Sequence, residues 1–354
     1  MSELQIGLLA IGIVVVVAVY AYSFWQQRQY RRHFGAAFKP QREDALYHNA
    51  ATGAEQSPLD GNTPEPLFAG DGARMNAADE ACMLLDASTD YIAEIFPGKP
   101  CSAEALAPLW QRRFDFGKSV NACGQNASTG GWEKVIAEST LIYSAFRLGV
   151  QLADRSGAVS KSRLQEFSDI AWSIGESLQA EVQLPDISAA AQRAQELDAF
   201  CAEVDQMIGL NLLPAGERPL AGDEIARVAE MHGLGLQADG AFHLLDARGL
   251  TLFVLSNYDN VPFQHHTLNQ MRVTGLTLLL DVPRVEQPAH QFDDMVKLAR
   301  LLAKDLRAAV VDDHRVTLQD AALLHIRENI DAIEKRMLAG DVVPGSAQAR
   351  RLFA

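Results

Sequence analysis

The sequence predicts an α/β protein in which a membrane-spanning helix precedes two tandem domains. Three observations lead there. An uncharged apolar run lies within the first 25 residues. Beyond residue 85, short alternating segments exchange with longer segments of helical period, the pattern of strands and helices sharing a core. The later half then repeats the element order of the earlier one.

Length and composition agree. A chain of 354 residues accommodates about two domains, and 48% hydrophobic with 21% charged residues fits sizeable globular cores. The formal net charge of −14 repels phosphate backbones, which argues against nucleic acid as a partner. Cys82, Cys101, Cys123 and Cys201 show no C-x-x-C spacing. They read as reduced thiols in a reducing compartment, behaving as small buried hydrophobes.

Leu4 to Trp25 contains no charge. As a helix it would be roughly 33 Å long, enough to cross a hydrocarbon core of about 30 Å. Tyr20, Tyr22, Phe24 and Trp25 place aromatics at one interface, and Arg28, Arg31, Arg32, Lys39 and Arg42 follow. Only Glu3 precedes, so the positive-inside bias puts the N-terminus outside and the bulk of the chain in the cytoplasm. A cleaved signal peptide would carry its basic residues before the run and small residues after it; this stretch has neither. Residues 1–25 are therefore expected to be an uncleaved single-pass anchor in contact with the bilayer through 4–25. Residues 26–85, a basic segment and then a Pro-, Gly- and Asp-rich stretch without period, read as a tether.

The first domain is expected over 86–203. Asp90–Phe96 alternates and ends on Pro97, hence a strand. Ser102 opens a helix whose stripe is Ala105, Leu106, Leu109 and Trp110. Ser128–Gly131 is a hairpin turn. Phe146–Leu152 is a strand, Arg163–Leu178 a helix, Glu181–Leu184 a short strand, and Ser188 starts another helix. The second domain is expected over 204–338. It holds a strand at Met207–Leu213, a helix at Asp223–His232 stopped by Gly233, and a hairpin around Asp246–Gly249. Strand Leu276–Leu280, helix Gln291–Leu306 and strand Ala308–Val311 follow. A final helix runs from Leu318 to Met337, with Thr317 as candidate N-cap and Leu323, Ile326, Ile330, Ile333 and Met337 as its stripe. Residues 339–354, after Pro344-Gly345-Ser346, are expected to be a flexible tail. At a constant offset Phe167, Ile170, Ile174 and Leu178 fall on Met295, Leu298, Leu302 and Leu306. This predicts a duplication of about 120 residues per copy, a plausible domain size.

Little chemistry is encoded in motifs. His243, His265, His266 and His314 form no H-x-x-x-H or H-E-x-x-H pair, and no convergent metal set is expected. Asp312-Asp313 reads either as a paired carboxylate for acid–base work or as two carboxylates satisfying exposed amides before a helix. No G-x-S-x-G, Walker loop or G-x-G-x-x-G occurs. What remains is a sheet covered on one face. Ile208, Leu210 and Leu212, with Leu276, Leu278 and Leu280, go under the helices. Met207, Gly209, Asn211, Thr277 and Leu279 are left outward. That half-apolar face fits a groove for a peptide, and equally fits ordinary surface with scattered hydrophobes.

The stretch GLTLLLDVP, the helix after it, AVVDDHR and the final amphipathic helix carry a resemblance, as do Ala241-Phe242-His243 and Leu252–Asn257. Residues 204–337 resemble the C-terminal domain of the ZipA family, membrane-anchored bacterial cell-division proteins that bind FtsZ. The order of anchor, tether and C-terminal domain is also that family's. The resemblance implies split β-α-β domains, each an antiparallel sheet with helices on one face, the first copy being degenerate. It implies a location at the inner membrane and division septum, with the C-terminal tail peptide of FtsZ as partner. It implies no enzymatic activity, no cofactor and no small-molecule substrate. By strand position the peptide face falls on Met207, Gly209, Asp239, Ala241, Tyr258, Asn260, Thr277 and Leu279. Gly209, Asp239 and Ala241 lack the family's apolar bulk, and Asn260 replaces a basic position. Two rivals are a scaffold of the same fold holding another peptide, and a membrane-bound hydrolase.

Overall fold

The computed structural model describes residues 84–354, in two units. The expected anchor and nearly all of the expected tether lie outside the described residues. Among those described, no helix is long and apolar enough to cross a membrane.

The first unit contains strand β1 (Asp90–Phe96), helix α1 (Ala107–Arg112), strands β2 (Val120–Asn126), β3 (Trp132–Lys134) and β4 (Ile142–Gln151), helix α2 (Lys161–Leu178), strand β5 (Glu181–Gln183) and helix α3 (Ile187–Val204). Its antiparallel sheet runs β3-β2-β4-β1-β5. Alternation sets the faces. Tyr91, Ala93 and Ile95 pair with Val150, Leu148 and Phe146, and all six are buried in the core. Helix α2 covers them with Leu164, Phe167, Ala171 and Ile174. The chain leaves α2 through Gln179 at φ 48, with Ala180 N–H on the Gly175 carbonyl. Asp186 caps α3 by accepting from Ala189 N–H at 2.7 Å.

The second unit contains strand β6 (Met207–Pro214), helix α4 (Gly222–Met231), strands β7 (Leu234–Leu236), β8 (Phe242–Leu245), β9 (Thr251–Asn257) and β10 (Leu276–Asp281), helix α5 (Pro288–Asp305) and strand β11 (Ala308–Val311). It ends with the first part of helix α6 (Asp320–Ala339), up to Ile330. The sheet order is β7-β8-β9-β10-β6-β11, all antiparallel. Leu276, Leu278 and Leu280 of β10 pair with Leu212, Leu210 and Ile208 of β6, and every one is buried. Over them lie Phe292, Met295, Ala299 and Leu302 of α5. Asp246 closes the β8–β9 hairpin by accepting from the N–H groups of Arg248 and Leu250, both at 2.8 Å. Those bonds, the Leu250 one first, hold its carboxyl below the usual carboxylate range.

The two units share a kernel. In each, the first strand is flanked by the strand before the long helix and the strand after it: β4-β1-β5 and β10-β6-β11. Beyond β4 and β10 they differ. In the second unit β9, the preceding long strand, neighbours β10; in the first, β2 neighbours β4 and the later β3 lies outside it.

Several expectations are corrected. The helix expected from Ser102 is a 3-10 turn, Ala103–Leu106, followed by α1. Pro108 has no N–H to donate and is accommodated only where a new helix begins. For the same reason α5 begins at Pro288, ahead of the expected Gln291. Thr317 forms a β-bridge with Val311, and α6 starts after it, at Asp320. Cys123 is disulfide-bonded, so the cysteines are not all reduced thiols; Cys101 and Cys201 are free.

The largest correction is at the C-terminus. The second part of α6, from Asp331, and residues 340–354 belong to the first unit, which therefore does not end near 203. The expected flexible tail instead forms helix α7 (Ala347–Leu352), capped by Ser346 through Ala349 N–H at 3.0 Å. Met337, Val342, Ala349, Leu352 and Phe353 are buried in the first unit's core. Arg351 N–H groups bind both oxygens of the fully buried Asp90 and, at 2.9 Å, the Leu84 carbonyl.

Two outcomes follow from this packing. Phe353→Ala deletes a fully buried aromatic and is expected to destabilise the first unit by about 3 kcal/mol. Trp110, Trp132 and Trp172 lie in the first unit and none in the second, so in a Trp25→Phe background a urea titration followed by tryptophan fluorescence reads the first; an unmoved midpoint refutes the burial. Burial, with Asp198 and Asp205 adding repulsion, pushes the Cys201 thiol up to about 12. An unfolded thiol titrates near 8.5, so this group leaves stability untouched below that pH. Between the two values the unfolded chain loses its proton first, and stability falls. At pH 9 Cys201 is expected to resist iodoacetamide in the native chain and to react once urea is added.

Candidate functional site: the open face of the second sheet

With 276, 278 and 280 committed to the core, residues 277 and 279 of β10 must face the other way, as must 207, 209 and 211 of β6. Strand register assembles these positions into rows. One row runs Gly235, His243, Val254, Leu279, Gly209 across five strands. The next runs Ser256, Thr277, Asn211, Val311. Met207 stands beside Asp281 at the end of β6.

The two rows differ in chemistry. Val254 and Leu279 are half-buried and apolar, with Gly209 beside them. A Cβ on Gly209 would meet Leu279 and Thr277 at 3.4 and 3.5 Å, ordinary contact, so the glycine leaves a shallow recess without being sterically required. The second row is polar up to Val311, and its polar side chains have partners. Thr277 Oγ1 donates to Asn211 Oδ1 at 2.9 Å, and Asn211 Nδ2 donates to Asp313 Oδ1 at 3.0 Å. Asn211 is buried, so those bonds offset its desolvation.

Of the eight residues expected on the face, Met207, Gly209, Thr277 and Leu279 come together on adjacent strands. Tyr258 lies just past β9, half-buried, with its N–H on the Gly275 carbonyl at 3.1 Å. Asn260 occupies an exposed turn at φ 58, where asparagine is tolerated in the left-handed region. Asp239 and Ala241 lie in the β7–β8 connection. Asp239 accepts from Ala241 N–H at 3.2 Å and binds His243 Nε2 at 2.9 Å, while His243 Nδ1 meets Thr251 Oγ1 at 3.0 Å. Asp239 thus orients a ring that lies in the apolar row. Val254 and Ser256 join the face beyond the eight residues expected there; TLFVLSN alternates, and burying Phe253 and Leu255 commits 254 and 256 to the open side.

The remaining candidates carry no visible chemistry. Asp312 Oδ1 accepts from His314 and Val316 N–H at 2.9 and 2.8 Å, closing the turn after β11 rather than starting a helix. Among the described residues no group of three His, Cys, Asp or Glu side chains is placed to hold a metal ion.

Comparison with known proteins matches this unit. Residues 206–329 fit the family model described as ZipA, C-terminal FtsZ-binding domain. A cell division protein ZipA of Ectopseudomonas mendocina (strain ymp) is 24% identical over 151 residues, 42% of this chain and 55% of that one. One from Pseudomonas putida (strain W619) is 25% identical over 155 residues, 43% and 51% of the two chains. One from Pseudomonas aeruginosa (strain UCBPP-PA14) is 26% identical over 141 residues, 39% and 49%. The chain spans about half the length of these relatives. Residues 206–329 are thus similar to the family of the ZipA C-terminal FtsZ-binding domain.

Proposed function

We propose that this is a cell-division protein, anchored in the inner membrane through 4–25, that binds the C-terminal tail of FtsZ on the open face of its second sheet and so tethers the Z ring at the septum. The observation that carries the reading is the half-buried apolar row of Val254, Leu279 and Gly209 on the face opposite the buried leucines, with Met207 nearby. The polar side chains of the neighbouring row already have partners, Thr277 on Asn211, Asn211 on Asp313 and Ser256 on the Thr277 carbonyl, so apolar contact dominates what the face offers a peptide. The family model's description as FtsZ-binding supports the partner. The shared kernel and the constant offset support the first unit as a diverged tandem copy of the same split β-α-β domain, about as long as the second.

A second reading is a scaffold of this fold for another peptide. Gly209 and the Asp239–His243 pair favour it, because they give the face a shallower and more polar edge than bulky residues would.

A titration of the full chain with a synthetic FtsZ tail peptide separates the two. Saturable binding is expected. Leu279→Asp places a charge at the centre of the apolar row and is expected to weaken binding at least tenfold, about 1.4 kcal/mol, with the thermal midpoint unchanged. Gly209→Ala has room for its methyl and is expected to keep or raise stability by under about 1 kcal/mol. No binding by the unmodified chain favours the second reading; binding indifferent to Leu279→Asp rejects the assigned face.

A further inference from the structure

The first unit also has a sheet face turned away from α2, and the same offset locates its counterpart of the peptide face. With Phe167 laid on Met295, Gly149 lies on Thr277 and Gln151 on Leu279. Their cross-strand partners are Ile92 and Asp90, the counterparts of Asn211 and Gly209. These positions are not open. A Cβ on Gly149 would collide with the side chain of Leu85, which lies over it. Gln151 is 1% exposed, and its Nε2 donates to the Arg351 carbonyl at 2.9 Å. Asp90 is held by the Arg351 guanidinium. The lead-in before β1 is held further by Gln348 Nε2, which donates to Asp86 Oδ2 at 3.2 Å and Ser88 Oγ at 3.0 Å.

We propose that the first unit is a self-occupied copy of the peptide face: the segment Leu84–Ser88, clasped by Gln348 and Arg351 of α7, sits where the second unit leaves its face free, so the chain offers one peptide site and not two. The stoichiometric part rests on the FtsZ-tail reading; the strap itself does not. The occupant follows from the residues. Leu85 is the apolar group that covers a glycine floor, and Arg351 is the cation that neutralises a carboxylate standing where the second unit has Gly209. Polar replacement and internal occupation agree, since a buried Asp90–Gln151 pair of positions has no use for an apolar peptide.

Hydrogen–deuterium exchange on the full chain tests the strap without any ligand. Leu85→Ala and Gln348→Ala are expected to speed exchange at least tenfold over 84–92 and 147–152, leaving 162–178 and 276–281 unchanged. Unchanged exchange over 84–92 and 147–152 in both variants overturns the proposal. Arg351→Gln should have the larger effect; should it loosen the whole unit, Gln348→Ala decides alone, because its bonds lie outside the core. Titration with the FtsZ tail peptide is expected to saturate at one per chain. Two per chain overturns the self-occupied face, whereas none counts against the FtsZ reading and leaves exchange to judge the strap.

Discussion

A sheet packed by helices on one side must place every second residue somewhere else, and both units are organised by how they meet that constraint. In the second unit, Leu276, Leu278 and Leu280 lock β10 against α5, and no slip by one residue is possible without exposing three leucines. That lock fixes Thr277 and Leu279 outward. Lateral pairing then carries the same decision through β6, β9, β8 and β7, so a five-residue row is set by the burial of one strand. In the first unit the alternation of Tyr91, Ala93 and Ile95 does the same, but the outward positions are met by the chain's own lead-in and last helix. One kernel therefore yields two different outer faces, because residues outside the kernel differ.

What the sequence makes legible divides along the same line. Alternation and helical stripes are local, and so β1, β6, β10, α2 and the Asp246 hairpin are readable from their own residues. Half of the expected face, Met207, Gly209, Thr277 and Leu279, follows from alternation in two strands whose inward residues are all apolar. Asn260 and Asp239 are expected on the face by strand position, yet both lie in turns, outside the strands, whose geometry Asn257, Gly240 and Phe263 decide. The C-terminal tail is illegible for a different reason. Pro344-Gly345-Ser346 is a genuine break in pattern, yet Ala349, Leu352 and Phe353 are buried by residues some 200 positions away, as the Gln151–Arg351 bond at a separation of 200 illustrates. No window of local period contains that information.

The clasp at Arg351 also bears on how the chain enters the first unit. The described chain enters the first unit at Leu84, and Arg351 binds both the Leu84 carbonyl and Asp90, the first residue of β1. Asp90 is fully buried, so separating the pair would strand a desolvated carboxylate, a loss of roughly 3–5 kcal/mol when one partner is removed. The desolvation already spent on the pair means that it adds little net stability over an apolar pair of the same shape. Its value is positional. It fixes where the lead-in leaves the sheet, and it couples that exit to Leu352 and Phe353 in the core. Under the proposed function, a single weak peptide face per chain would suffice, because many chains on one membrane and many tails on one polymer would supply the effective concentration that a shallow apolar row lacks.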